Sequence, residues 1–324
     1  REASLKLDLA VSFDREYFKL VWCCLSIVLL ISFCLVLHPH FVKQFLGTNL
    51  EVVRLEVEIS DLPADLNGLK IIQLSDFHFD EGISLSLLDE TLTVCRMETP
   101  DIILLTGDYV NWNPSPIYEL AKILKSLTTI GNVKVFASIG NHDLKRVDII
   151  SGALQGVGIR VLWNETVYHG GLALVGLADM RSSDFTSEEV YPVFSKISES
   201  TPRLVLSHNP DSAEYLSNFR VDLQLSGHTH GGQIRFPFTT YPVLRLFFEI
   251  LPKRVAKYFP TRGVGNWDWA SGLHKIPRKT ANGETQFNLL YTNRGLGAHY
   301  IGPIGRLWCR PEITVIVLRP KDRH

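Results

Sequence analysis

The stretch "LVLSHNPDSAEYLSNFRVDLQLSGHTHGGQ", residues 204–233, decides the architecture. Two apolar runs in it stop at polar clusters, the first at His208 and the second at His228 and His230. Between them, 211–218 carries a helical pattern with Asp211 placed to cap its start. Open α/β sheets put ligand sites at the carboxyl ends of strands, where these histidines fall.

The same order recurs upstream and downstream. "LKIIQLSDFH" (69–78), "DIILLTGD" (101–108), "VKVFASIGNHD" (133–143) and "LALVGLAD" (172–179) each read as a buried strand running into a loop. "QFNLLYTNRG" (286–295) and "EITVIVLRP" (312–320) add two more strands. Helical patterns occupy 84–97, 116–128, 144–155, 186–198 and 211–218, and Pro116 suits a first turn. The expectation is an α/β fold, sheets with helices packed outside.

The strand ends supply Asp76 and His78, then Asp108, then Asn141 and His142, then His208, then His228 and His230. Singly, a D-x-H or a G-D is a turn or a cap. As the ordered set D-x-H, G-D, G-N-H-D, H, G-H-x-H, they describe one site. Mixed carboxylate, amide and imidazole donors suit Mn²⁺, Fe or Zn²⁺, whereas an all-oxygen set suits Mg²⁺ or Ca²⁺. Asp108 can give one oxygen to each of two cations, and a pair about 3.5–4 Å apart holds a hydroxide for in-line attack on phosphorus. The single residue between the ligands of D-x-H and H-x-H is expected to place both on one side of an extended backbone. Gly227, Gly231 and Gly232 are expected to let the backbone pass close to the metals.

The ordered set resembles the calcineurin-like metallophosphoesterase superfamily, over 69–233. "TNRGLG" (292–297) and "RPEITVIVL" (310–318) look like the C-terminal signature of its membrane-anchored bacterial branch. That resemblance implies a β-sandwich flanked by helices. Asp76, His78, Asp108 and His230 would hold one divalent metal, and Asp108, Asn141, His208 and His228 the second, Mn²⁺ foremost. His142 is left facing the phosphate as a catalytic group. "GDYVNWN" lacks the D-R-G of protein serine/threonine phosphatases, and Tyr109 has the wrong spacing for the tyrosine ligand of purple acid phosphatases. Soluble UDP-diacylglucosamine hydrolases carry arginine where this chain has His142.

Composition excludes other classes. A net charge of −1 gives no basic excess for nucleic acid, and five cysteines make neither a disulfide framework nor a cysteine zinc site. The exception is "LVWCCLSIVLLISFCLVL" (20–37), without a charge and at the lower length limit of a membrane helix, which spans the bilayer or lies in its interface, the alternative being a buried core helix. It divides the chain into a membrane-associated segment, 1–48, and a catalytic domain, 49–324. Arg1, Lys6, Arg15 and Lys19 precede it against Lys43 and Arg54 after it, which leans the domain outward.

The region 236–280 mixes aromatics with basic residues. Its part 241–258 fits an interfacial lipid-binding lid, or an amphipathic helix packed on the sheet. The hydrophobic segment and this insertion are similar to those of the UDP-2,3-diacylglucosamine pyrophosphatases of lipid A synthesis. That similarity implies a lipid substrate cleaved to UMP and 2,3-diacylglucosamine 1-phosphate. A UDP-sugar substrate places the catalytic domain at the cytoplasmic face of a bacterial inner membrane, and that chemistry outweighs the charge count. The alternative is a membrane-anchored phosphodiesterase or lipid phosphatase of other specificity.

Arg294 either binds phosphate or forms a structural bridge. Asp143 either orients His142 or caps the following helix. His169, His274 and His299 fall outside the motif ends. Trp267 and Trp269 are interface anchors or core aromatics.

Overall fold

The computed structural model describes residues 49–79, 82–250, 264–280, 283–298 and 305–321, together with Ser26. The chain divides into Arg1–Leu46 and Gly47–His324, and the description below concerns the second unit. Apart from Ser26, the apolar segment 20–37 lies outside the described residues. Among those residues, no helix is long and apolar enough to cross a membrane.

Among the described residues, twelve strands form two six-stranded sheets. The first has the order β1 (Glu51–Ile59), β12 (Glu312–Pro320), β2 (Lys70–Leu74), β3 (Ile102–Thr106), β4 (Lys134–Ser138) and β5 (Arg160–Val161). The second has the order β10 (Gly272–Lys279), β11 (Thr285–Thr292), β9 (Leu223–Ser226), β8 (Arg203–Leu206), β7 (Leu172–Gly176) and β6 (Glu165–His169). Strands β2 to β5 are mutually parallel, as are β7, β8, β9 and β11. Strands β3, β7, β8 and β9 are buried along their whole length, the expected state of strands covered on both faces.

One core lies between the sheets, where Ile71, Leu104 and Ile316 of the first meet Leu174, Leu204 and Leu225 of the second. A second core joins the outer face of the first sheet to α1 (Leu85–Glu98), α2 (Ile117–Leu124) and α3 (Val147–Gln155). A third covers the second sheet with α4 (Ser187–Ser195) and α5 (Ser212–Leu216). Each buried aliphatic side chain stabilises by about 1.5–3 kcal/mol, so a one-residue register slip in these strands is prohibitive.

All five expected helices form within a few residues. Ser84 and Thr186 cap α1 and α4, accepting from the Leu87 and Glu189 amides. Pro116 sits at the start of α2. Asp211 departs from expectation. It occupies the N-cap position of α5, but its carboxylate bonds the Asn266 amide at 3.0 Å, and the Gly265 amide, instead of capping. It ties the later insertion to the sandwich. Of the expected 241–258 helix, α6 (Val243–Ile250) is described; 251–263 lies outside, as does His299.

Candidate active site

The carboxyl ends of β2, β3 and β4 in one sheet, and of β8 and β9 in the other, converge. The Asp76 amide bonds the Gly107 carbonyl, the Gly227 amide bonds the His208 carbonyl, and the His228 amide crosses between sheets to the Asp76 carboxylate at 3.0 Å. Two donor groups result: Asp76, His78 and His230, and Asp108, His208 and His228. The Asn141 Oδ1 lies 3.2 Å from the His208 Nε2, beside the second group. The Asp108 Oδ2 is 3.1 Å from His208 Nε2 and 3.7 Å from His78 Nε2, placing this carboxylate between the groups.

Backbone geometry makes the convergence possible, but not as alternation along an extended chain. Asp76, His78, Asp108, His228 and His230 all have positive φ, between 44° and 70°. Each non-glycine residue in that region costs roughly 1–3 kcal/mol, and such strain clusters at functional sites. The backbone at these residues is left-handed rather than extended, so the extended-backbone reading of D-x-H and H-x-H is corrected.

Glycine matters at two places. A Cβ at Gly227 would collide with the Asp76 carboxylate, and one at Gly140 with Asp108. Gly231 and Gly232 serve otherwise than expected: the first abuts Arg235 and Arg294, the second Pro242.

Three of the histidines turn Nδ1 to an oxygen acceptor, which sets the tautomer of each ring when it is neutral. His208 Nδ1 donates to the Thr106 carbonyl at 2.7 Å, His230 Nδ1 to the Gly297 carbonyl at 3.2 Å, and His78 Nδ1 to the Asn111 Oδ1 at 2.8 Å. Each neutral ring therefore turns its Nε2 lone pair inward. The His78 and His230 Nε2 atoms face each other at 3.2 Å, and His208 Nε2 faces oxygens of Asp108 and Asn141. Lone pairs aimed at lone pairs in a buried site repel unless a cation or proton lies among them. The donor set thus fits divalent metals of the Mn²⁺, Fe or Zn²⁺ kind.

Electrostatics in the metal-free protein agree. Burial pushes Asp76 up to about 6, with Asp108 adding to it and His208 opposing. Burial would also raise Asp108, but His208, His78 and His142 hold it well below the usual carboxylate range. Burial would lower His208, yet Asp108 lifts it to about 10. A proton on His208 stands in for a metal's charge.

His142 is half-buried, and its backbone amide donates to the Asp108 Oδ1 at 2.9 Å. Asp143 takes neither expected role. Its carboxylate accepts from the amides of Asp108 at 2.9 Å, Tyr109 at 3.1 Å and Gly140 at 3.0 Å, pinning the G-D loop to the G-N-H-D loop. Arg294 pairs with the buried Glu312 and with Glu51 at 3.0 Å, which is the structural bridge rather than an open phosphate contact. Burial would lower its pKa, but these two carboxylates hold it above the usual value.

Arg306 was not apparent from the sequence. Buried, it donates to the carbonyls of Arg294, Gly295 and Gly297 and to that of His230, shaping the R-G-L-G loop against the site. No motif flagged it. His169 and His274 lie on β6 and β10 and join neither donor group. Trp269 packs against the small core of Ala213, Ile276 and Leu290.

The family profile for calcineurin-like phosphoesterases matches residues 69–232. The chain belongs to this family. Phosphodiesterase YaeI of Escherichia coli (strain K12) is 33% identical over 259 residues, spanning 77% of this chain and 82% of that protein. UDP-2,3-diacylglucosamine pyrophosphatase LpxG of Chlamydia muridarum is 25% identical over 299 residues, 76% of this chain and 84% of that protein. A "transmembrane protein with metallophosphoesterase domain" of Danio rerio is 26% identical over 284 residues, covering 83% and 57%. This calcineurin-like phosphoesterase is accordingly a metallophosphoesterase hydrolase whose fold carries candidate residues for a dinuclear metal site.

Proposed function

We propose that this metallophosphoesterase hydrolyses the pyrophosphate bond of UDP-2,3-diacylglucosamine, giving UMP and 2,3-diacylglucosamine 1-phosphate. The observation that carries hydrolysis is the pair of buried donor groups with the Asp108 carboxylate between them. The substrate class is supported by the pyrophosphatase relative, aligned over most of its length.

Asp76, His78, Asp108 and His230 would hold one divalent cation, and Asp108, Asn141, His208 and His228 the other, Mn²⁺ being best suited. Bound there, the metals would activate water and neutralise charge on the phosphoryl oxygens. Asp143 holds the Asp108 loop rigid through three amides, so the shared carboxylate needs little reorganisation. His142, its backbone amide bonded to Asp108, would donate to the phosphoryl group. UMP leaves readily, since a phosphate monoester has a second pKa of about 6, so His142 acts mainly by stabilising charge.

The acyl chains would lie along the insertion 236–280. Phe238, 83% exposed, and Leu246, 37% exposed, offer apolar surface there. With 20–37 as anchor, we place the enzyme on a bacterial inner membrane, its catalytic domain at the cytoplasmic face where UDP-sugars reside. The Danio rerio relative, a transmembrane protein by name, supports membrane association.

A second reading, a membrane-anchored phosphodiesterase of other specificity, is favoured by the Escherichia coli relative. The test is turnover of UDP-2,3-diacylglucosamine against bis-p-nitrophenyl phosphate with Mn²⁺, products identified by mass. UMP and the lipid 1-phosphate support the first reading. Cleavage of the diester alone selects the second.

A further inference from the structure

Trp112 stands at the mouth of the site and has no part in its ligand set. It is 60% exposed, which is costly for the largest apolar side chain. Its ring centroid lies 4.5 Å from that of His142, the planes inclined at 49°. The Lys145 ammonium lies over the Trp112 ring, 4.8 Å from its centroid. Trp112 lies in the loop following G-D, and Lys145 in the short 3-10 turn Leu144–Arg146 following G-N-H-D.

Both segments are held firmly. Asn111, next to Trp112, is buried and accepts from the His78 ring at 2.8 Å. Tyr109, three residues before it, is fully buried with its hydroxyl on the Ser138 carbonyl at 2.9 Å. Asp143, two residues before Lys145, bonds the amides of Asp108 and Tyr109. The exposed indole is therefore set at a fixed place beside the reacting group, at little further entropic cost to a ligand. An indole face accepts any planar aromatic ring, and a lysine displaced from it by such a ring finds the phosphate next to that ring.

We propose that Trp112 and Lys145 form a subsite for the nucleoside half of the substrate, the base stacking on Trp112 and Lys145 meeting the phosphate. The subsite rests on the nucleotide-substrate reading above, and the experiment separates the two.

Calorimetry on the metal-loaded full chain would compare UMP with ribose 5-phosphate, which carries the same phosphate without the base. Stacking of one base is worth about tenfold or more in affinity. The wild type should prefer UMP by about that factor, and Trp112→Ala should remove the preference. Trp112→Phe should keep most of it, guarding against a general disturbance. Lys145→Gln should weaken both ligands alike. Equal binding of UMP and ribose 5-phosphate by the wild type, or equal loss of both in Trp112→Ala, overturns the subsite, as does failure of UMP to bind. Base-selective UMP binding without hydrolysis of the UDP-lipid sinks the pyrophosphatase reading alone. Hydrolysis without base selectivity sinks the subsite alone.

Discussion

The Nε2 atoms of His78 and His230 face each other at 3.2 Å, and each ring's Nδ1 already donates to an oxygen. Two neutral imidazoles cannot share a hydrogen bond in that state. They can share the neighbourhood of a cation, and both residues keep a left-handed backbone to stand there.

Metal uptake should therefore release protons. In the metal-free protein Asp108 lifts the His208 pKa well above the usual histidine range, and burial raises that of Asp76 above the usual carboxylate range. Ligation needs His208 neutral and Asp76 ionised, so affinity rises with pH. Above neutral pH His208 must still give up its proton, so affinity should go on rising with pH. Below pH 6, Asp76 adds a second. Mn²⁺ titrations in buffers of different ionisation enthalpy read this directly. A pH-independent affinity with no proton release contradicts it.

His142→Ala should retain both metals while turnover falls, because its side chain belongs to neither donor group. The loss should lie in the lower half of the roughly 10²–10⁴-fold typical of acid–base groups, given the good leaving group. Metal content and kcat measured on the same sample decide the matter; missing metal would make His142 a ligand.

Asp143→Ala should destabilise the fold by about 3 kcal/mol or more, since three buried amides lose an acceptor at once. Thermal melting reports the loss. A melting point within a degree of wild type would mean that other groups hold the two loops together.

Arg294→Met should lower stability by about 3 kcal/mol by leaving the buried Glu312 without its cation. KM should stay near the wild-type value, because the guanidinium is engaged with Glu312 and Glu51. A large rise in KM with unchanged melting would return Arg294 to phosphate binding.

What the sequence made legible has a physical pattern. Strands inside the sheets were found because double-sided burial writes continuous apolar runs such as "IILLT" and "LALVG". The four missed, β1, β5, β6 and β10, are the four sheet edges. Half-exposed, they carry charged or polar residues, as in "EVVRLEVEI", or a proline, as in "GLHKIPRK". The residues brought together at the strand ends were legible because imidazole and carboxylate at those spacings have few other uses. The left-handed backbone was not, since its non-glycine residues carry no local signal and tertiary contacts impose it. Asp143 and Arg306 were hidden for a related reason: both act on backbone amides and carbonyls, which have no side-chain letter to match. Arg294 shows the same limit, because only the fold reveals the buried Glu312 beside it.

The most direct test of the account is metal reconstitution. The protein would be stripped by chelation and titrated with Mn²⁺, with bound metal counted against hydrolysis of UDP-2,3-diacylglucosamine. Asp108→Ala would be carried through the same titration. The account predicts no activity in the stripped protein and full activity only as the second cation binds. It predicts neither paired loading nor turnover in Asp108→Ala. Full activity in metal-stripped protein, or two metals bound by Asp108→Ala with unchanged affinity, would contradict it.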